Sequence, residues 1–425
     1  MSNIGQSTSR ASRIVIATLL AVAATVITLA PANAAPGPPT PGPTPAPPPG
    51  PVIPTILGKL TADDAFAEDL FGQVIAVDGD TVVVGAYADD DGGPSSGSAY
   101  VFTRSGLSWT QQAKLTASDA APGDIFGITV AILGDTILVG AYGDDDRGAD
   151  SGSVYVFTRS GTNWSERTKL TAADGAAADS FGSALGIDGG TAVVGAFHDD
   201  NDGINSGSAY VFVGSGASWT QQAKLTAADG AANDFFGRGV DILGDSVVVG
   251  AFGDDDAGLT SGSAYVFTRA GTIWSQQTKL TASDAAASDD FGRSVAMSGN
   301  TVVVGSSGDA SNAGSAYVFT RASSVWSQQS KLTASDQTMG DLFGWAVAIS
   351  RESIVVGAWG DDDDALTSGS AYVFTRTGTA WSQKEKLTAS DAGAEDRFGS
   401  SVTIDGITIG AGALLDDDDG SNSGS

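Results

Sequence analysis

The pair Phe-Gly returns seven times, at Phe71, Phe126, Phe181, Phe236, Phe291, Phe343 and Phe398, at steps of 55 residues except for one of 52. A unit of that length cannot bury its own apolar face, so copies must stack on one another, as in a solenoid or a β-propeller. One copy, Phe126 to Asp174, decides between them. Phe126-Gly127 opens a short strand through Val130 and Ile132, Gly134-Asp135 makes a tight turn, and Thr136 to Ala141 form a β-branched second strand. An acidic loop, Asp144 to Gly148, leads to a third strand, Ser153 to Arg159, and Trp164 to Thr171 supply a fourth. Four strands in such a period are a propeller blade. The sequence therefore predicts an all-β fold, a β-propeller of four-stranded blades, seven in number, with the last incomplete in this chain.

In the fourth strand a period of two would place Trp109, Gln111, Ala113 and Leu115 on one face, and Thr110, Gln112, Lys114 and Thr116 on the other. Its signature, Lys-Leu-Thr-Ala, occurs seven times starting at Lys59, whereas the third-strand signature Tyr-Val-Phe occurs six times, last at Tyr372. An orphan outer strand at Lys59 is thus expected to close the ring onto the blade begun at Phe398. The absent third strand should leave a gap there, and Ser425 is expected to be a truncation point. The propeller is assigned to 56–425. Ahead of it, Arg10 and Arg13 precede an uncharged run ending in Ala32-Asn33-Ala34, the form of a secretory signal over 1–34. The proline-dense stretch 35–55 should be a stiff spacer. These features predict a secreted or cell-surface protein, bacterial in style, with no insertion in the membrane once the signal is removed.

The chain carries 50 acids against 21 bases and no cysteine, a formal charge of -29. That balance argues against nucleic acid as a partner. In an up-and-down blade the loop from strand two to three and the linker to the next blade emerge on one face, by parity. Sorting the acids so puts 22 in the former and 18 in the latter, 40 of 50 on one face. Crowded like charges require counterions or a partner. The loop acids Asp89, Asp91, Asp144, Asp146, Asp199, Asn201, Asp254, Asp256, Asp361, Asp363, Asp416 and Asp418 are the candidate calcium ligands, since that hard ion takes six to eight oxygens. The rival reading is a solvated polyanionic face. The fifth unit, with only Asp309 in its loop, is the internal control. Of the linker aspartates, those two residues before Phe-Gly, and their partners after Lys-Leu-Thr-Ala, are read as turn caps. The lysines of Lys-Leu-Thr-Ala and the arginines ending the third strands are expected to lie away from the acidic loops.

After the Gly-Ala pair of strand two come Tyr87, Tyr142, Phe197, Phe252 and Trp359, with Ser307 and Gly412 breaking the series. Aromatics at the mouth of an acid-rimmed funnel suit a lysine or arginine of a partner, so these are the candidate partner-binding residues. The partner expected is an extracellular or surface protein with exposed Lys or Arg. Packing between tapering blades is the competing role for the rings. For catalysis there is little: the lone His198 reads as a solvated loop substitution, and Arg147, Trp345 and Arg397 depart from the repeat in scattered blades. A non-catalytic binding or adhesion module is the first reading. A calcium-stabilised envelope protein without discrete ligand is the second, and a propeller hydrolase or lyase ranks behind both. A binding module needs a blade-specific patch, whereas a structural array does not.

Phe-Gly opening strand one, Gly-Ala-Tyr or Gly-Ala-Phe ending strand two and Gly-Ser-Ala-Tyr-Val-Phe as strand three resemble FG-GAP repeats, the units of the propeller at the head of integrin α chains. The resemblance covers about Leu57 to the C-terminus and implies calcium in some blades and protein docking on one face. The family's calcium loop lies between strands one and two, where this chain has only a tight turn such as Asp78-Gly79-Asp80. No metal ligand carries over from it. The chain is closer to bacterial secreted proteins with such repeats.

Overall fold

The computed structural model describes residues 58–417 and 420–425. The signal and the proline-rich spacer lie outside the described residues, as does Asp418. Each unit folds as an antiparallel sheet in simple chain order. In the second blade the strands are Thr129–Leu133, Thr136–Ala141, Ser153–Ser160 and Asn163–Leu170. Among the described residues six such four-stranded blades are present, and the seventh has two strands, Phe398–Asp405 and Thr408–Ala413.

The second strands are buried on both sides, which is why they read as continuous Val-rich runs rather than as an alternation. Within Thr81–Ala86, Val83 enters the core shared with the second blade, while Val82 and Val84 face the opposite neighbour. The core thus lies between blades. In the six four-stranded blades the Phe of Phe-Gly meets third-strand rings edge-on, as Phe126 does with Tyr155 at 5.3 Å and Phe157 at 6.0 Å. Gly127 has φ +91°, and a Cβ there would fall 2.1 Å from the Ser98 carbonyl oxygen of the preceding blade. Only glycine permits that approach.

A β-bulge corrects the expected facing of the fourth strand. In the first blade Gln111 pairs with Phe102 but Ala113 with Val101, leaving Gln112 as the extra residue. The bulge breaks the period of two. Trp109, Gln111 and Lys114 therefore share a face with Tyr100 and Arg104, while Thr110, Ala113 and Leu115 share the other. The bulged residue becomes an inter-blade latch: Trp164 Nε1 donates to Gln112 Oε1 at 2.9 Å, Trp274 to Gln222 at 2.8 Å, Trp326 to Gln277 at 3.0 Å and Trp381 to Gln329 at 2.9 Å.

The ring closes through the main chain. Phe71 N donates to Ser423 O at 3.0 Å, and Gly424 bridges Phe71 in parallel, as Gly97 bridges Phe126. On the opposite rim Gly79 N donates to Asp405 Oδ2 at 2.8 Å, the same bond that joins Gly134 to Asp78 at 2.6 Å. The expected outer strand is not formed: among the described residues the Lys59 segment carries no strand and the seventh sheet stays two-stranded, and the segment reaches that blade through its ammonium, which binds Asp391 at 3.0 Å and Asp416 at 2.7 Å. The expected gap is there too. A cavity of about 190 Å³, walled by Val82, Val84, Trp109, Phe398 and Ile409, lies beside the two-stranded sheet.

Candidate binding face

The acids of the strand two-to-three loops and of the linkers converge on one face, as parity requires, and each blade has a lysine at the centre of the convergence. In the second blade Lys169 Nζ lies 3.0 Å from Asp119, 2.5 Å from Asp144 and 2.7 Å from Asp146. The lysine comes from Lys-Leu-Thr-Ala and reaches the cluster because the bulge turns it to the tyrosine side. Its Nζ stands 5.0 Å from the Tyr155 ring centroid, a cation–π distance. The expectation that these lysines point away from the acidic loops is thereby corrected. The third-strand arginines do lie on the opposite face, where Arg104, Arg159 and Arg269 pair with Asp80, Asp135 and Asp245, and Arg376 with Glu352.

The first aspartate of each loop is the hub. Asp144, 4 % exposed, accepts from Tyr155 Oη at 2.8 Å and, through Oδ1, from Asp146 N and Ser153 Oγ, each at 3.0 Å. Asp89, Asp199, Asp254 and Asp361 take the same bonds from Tyr100, Tyr210, Tyr265 and Tyr372. Asn201 stands at the third loop position of blade three, and its backbone N–H donates to Asp199 at 2.9 Å. Asp416 is held by Lys59 and Ser425 Oγ.

Among the described residues three sets of carboxylates, Asp119/Asp144/Asp146, Asp229/Asp254/Asp256 and Asp336/Asp361/Asp363, bring one oxygen each within 4.8 Å of one another and could hold a metal ion. In all three the lysine ammonium stands among those oxygens. The fit to calcium is therefore poor: an ammonium already stands among the oxygens of each set, and the hub oxygens are already engaged. Blade five extends the point. Its loop is a left-handed turn through Ala310 and Ser311 with one aspartate, yet Lys331 still binds Asp284 at 2.8 Å and Asp309 at 2.5 Å. The lysine persists where a metal site could not.

Burial works against charge on Lys169, but its bonds to Asp144, Asp146 and Asp119 outweigh that and push its pKa up. Likewise burial opposes ionisation of Asp119, and the bonds from Tyr155 and Lys169 overcome it, holding the carboxyl below its usual range. The linker aspartates divide accordingly. Those two residues before Phe-Gly do cap turns, as when Asp124 Oδ2 accepts from Ala121 N at 2.7 Å. Those after Lys-Leu-Thr-Ala bind lysine instead. Burial raises the turn caps, Asp69 and Asp234 to about 6.

Inside this rim the repeat breaks down. Three positions per blade surround the mouth: the residue after the Gly-Ala pair, the residue before Phe-Gly and the residue after it. The register places Ala413 opposite Phe398 as Ala86 lies opposite Phe71, so the seventh member of the aromatic series is Leu414 and not Gly412. Tyr87, Tyr142, Phe197, Phe252 and Trp359 are half-buried. Several are already covered by the chain's own arginines. Arg238 lies 5.6 Å from the Phe197 centroid, Arg293 lies 5.6 Å from Phe252 and 3.6 Å from Trp345, and Arg397 lies 4.8 Å from Trp359. Phe235 stacks on Phe252 at 5.0 Å, and Trp345 meets Trp359 edge-on at 5.3 Å. Tyr87 feels Tyr142 and Arg397, and Arg238 feels Tyr142, so the array runs round the mouth.

His198 is not a solvated substitution. It is half-buried, packs on Phe197 at 3.9 Å, and its Nδ1 lies 3.0 Å from Ser180 Oγ. Burial, then Arg238, pushes its pKa down. Sequence reasoning noticed Trp345 and Arg397 as scattered departures but missed Phe235, Arg238, Asp290 and Arg293. Aligning the residues that flank Phe-Gly across the seven units would have gathered them, because those columns vary while the rest repeats.

A ring of Phe-Gly blades with a variable mouth defines a repeat-built propeller. The chain belongs to the FG-GAP repeat family, which matches residues 55–102, 109–157, 164–212, 219–267, 274–319, 326–374 and 381–425. No curated protein matches its sequence. Among solved structures, the crystal structure of the Saccharomyces cerevisiae Sqt1 is similar at 12 % identity with a TM-score of 0.46, over 82 % of each chain.

Proposed function

We propose that this protein is a non-catalytic binding module of the cell surface or the secreted compartment, and that it engages its partner through the aspartate-rich face. One observation carries the reading: the mouth is blade-specific. Phe235, Arg238, Arg293, Trp345 and Arg397 each occur in one or two blades, whereas the lysine clusters recur from blade to blade. A structural array gains nothing from such asymmetry. The rim suits a protein with exposed Lys or Arg, because Asp90, Asp145, Asp200, Asp255 and Asp362 remain exposed around it. Exposed Ile204, Leu259, Met339 and Leu366 lie among these acids and offer apolar contact. In this reading the lysines are the resident cations of the clusters, and calcium would have to displace them.

The non-catalytic reading rests on the poverty of the mouth in acid–base pairs. The Ser180 hydroxyl beside His198 belongs to a residue only 4 % exposed, poorly placed to attack a substrate. A photo-crosslinking phenylalanine analogue at Tyr142 in the mouth, compared with one at Thr162 on the opposite face, tests the docking face in the native extracellular setting. Discrete adducts at Tyr142 alone are expected. Adducts equal at both positions, or none at Tyr142, would contradict the reading.

A further inference from the structure

Arginine is scarce in this acidic chain, and where it repeats it has a partner: Arg104, Arg159, Arg269 and Arg376 a carboxylate, and Arg321 the Asn300 amide oxygen. The three mouth arginines differ. Among the described residues no carboxylate lies within ion-pair distance of Arg238, Arg293 or Arg397, and their guanidinium groups make no hydrogen bond to the protein. The nearest acid in electrostatic terms is Asp290 beside Arg293, and Asp200 lies toward His198. Three positive groups thus face one close negative one. Two shielded donors, Arg397 Nε and Trp359 Nε1, lack any acceptor. Buried donors of this kind are costly unless something accepts from them. Cation–π contact with Phe197, Phe252, Trp345 and Trp359 holds the guanidinium groups at the mouth, and their N–H groups, unengaged by the protein, are left for a planar oxyanion.

We propose that the mouth is a carboxylate-binding site for a basic peptide, in which the carboxylate is received by Arg238, Arg293 and Arg397 while flanking lysines or arginines rest on the aspartate rim. This inference rests on the reading that the mouth is where the partner docks. The rim chooses the carrier. A free polyanion or a dianionic phosphate must cross a ring of exposed aspartates, whereas a single carboxylate on a cationic peptide is drawn in by its own flanks. The aromatic walls exclude water from the bond and so strengthen it.

The test titrates the full chain with two peptides, acetyl-Lys-Gly-Lys-Gly bearing a free C-terminal carboxylate and the same peptide as its C-terminal amide, and separately with inorganic phosphate. The carboxylate form is expected to bind at least about tenfold more tightly than the amide, and the preference should vanish in an Arg238→Gln/Arg293→Gln/Arg397→Gln variant that still binds the amide through the rim. The comparison of the two peptides on the unaltered protein needs no variant to fold. Equal binding of both forms would overturn the carboxylate site while leaving a cation-binding face standing. Binding of neither, or phosphate binding as tight as the free peptide, would also overturn it. Adducts at Tyr142 together with failure here would leave docking at the mouth intact and remove only this ligand chemistry.

Discussion

The rim and the mouth of the same face handle charge in opposite ways. At the rim the first six blades repeat one solution, tyrosine and lysine around the first aspartate of the loop, and in the second blade the lysine's pKa is pushed up and that of the linker aspartate down. At the mouth no two blades agree, and arginines lie on aromatic rings without carboxylates. The lesson is that periodic charge in this chain holds the ring together, while aperiodic charge is left for something outside it. A net charge of -29 conceals this division, because it sums the acids held by lysine or arginine within the ring with those left exposed around it.

The comparison can be broken most forcefully with matched substitutions. Lys169→Met strands buried Asp144 between two other carboxylates and should cost about 3 kcal/mol, discounted from the range for fully buried pairs because Asp119 and Asp146 are half-exposed. Arg293→Met, which strands no partner, should change stability by about 1 kcal/mol or less. Denaturant unfolding of both variants reads the difference, and equal losses would erase the distinction between rim and mouth. A smaller effect sharpens it within the rim. Tyr155→Phe removes a 2.8 Å bond to Asp144 and should cost about 1–2 kcal/mol, whereas Tyr317→Phe in blade five removes only a 3.3 Å bond and should cost less.

The sign of the pH dependence separates the two kinds of linker aspartate. Asp64, Asp119, Asp174, Asp229, Asp284 and Asp336 have lowered pKa values, so their stabilisation is present above about pH 4 and is lost as pH falls through their folded values. The turn caps Asp69 and Asp234 are raised to about 6, so ionising them costs stability as pH rises through that value. The lysines add stability that is lost only above their ordinary range. Melting midpoints should therefore rise slightly from pH 7 toward pH 5 and fall steeply below pH 4. A monotonic fall from pH 7 downward would mean that the caps are not raised.

The fold was legible because Phe-Gly and its period encode the blade, and even the facing of the acidic loops followed from strand parity. The count of strand signatures pointed to contact between the Lys59 segment and the seventh blade, but that contact is an ion pair and not the expected outer strand. What was not legible was the bulge at Gln112 and its equivalents, because an inserted residue leaves the same letters in a different register. That single extra residue carried Lys114 to the tyrosine face and turned an apparent metal site into a lysine cluster. The mouth was half legible. Its rings were visible in the Gly-Ala series and Arg397 stood out from the repeat, but Arg238 and Arg293 come from a position flanking Phe-Gly that sequence reading treated as framework.

The most direct test of the division between rim and mouth is calorimetric melting in millimolar calcium and in chelator at fixed ionic strength. A ligand that binds only the folded state must raise its midpoint. With ammonium groups already seated in the clusters, the midpoint should be the same in both solutions. A rise of several degrees with calcium, unmatched by magnesium, would show that metal and not lysine neutralises the rim, and would contradict the account.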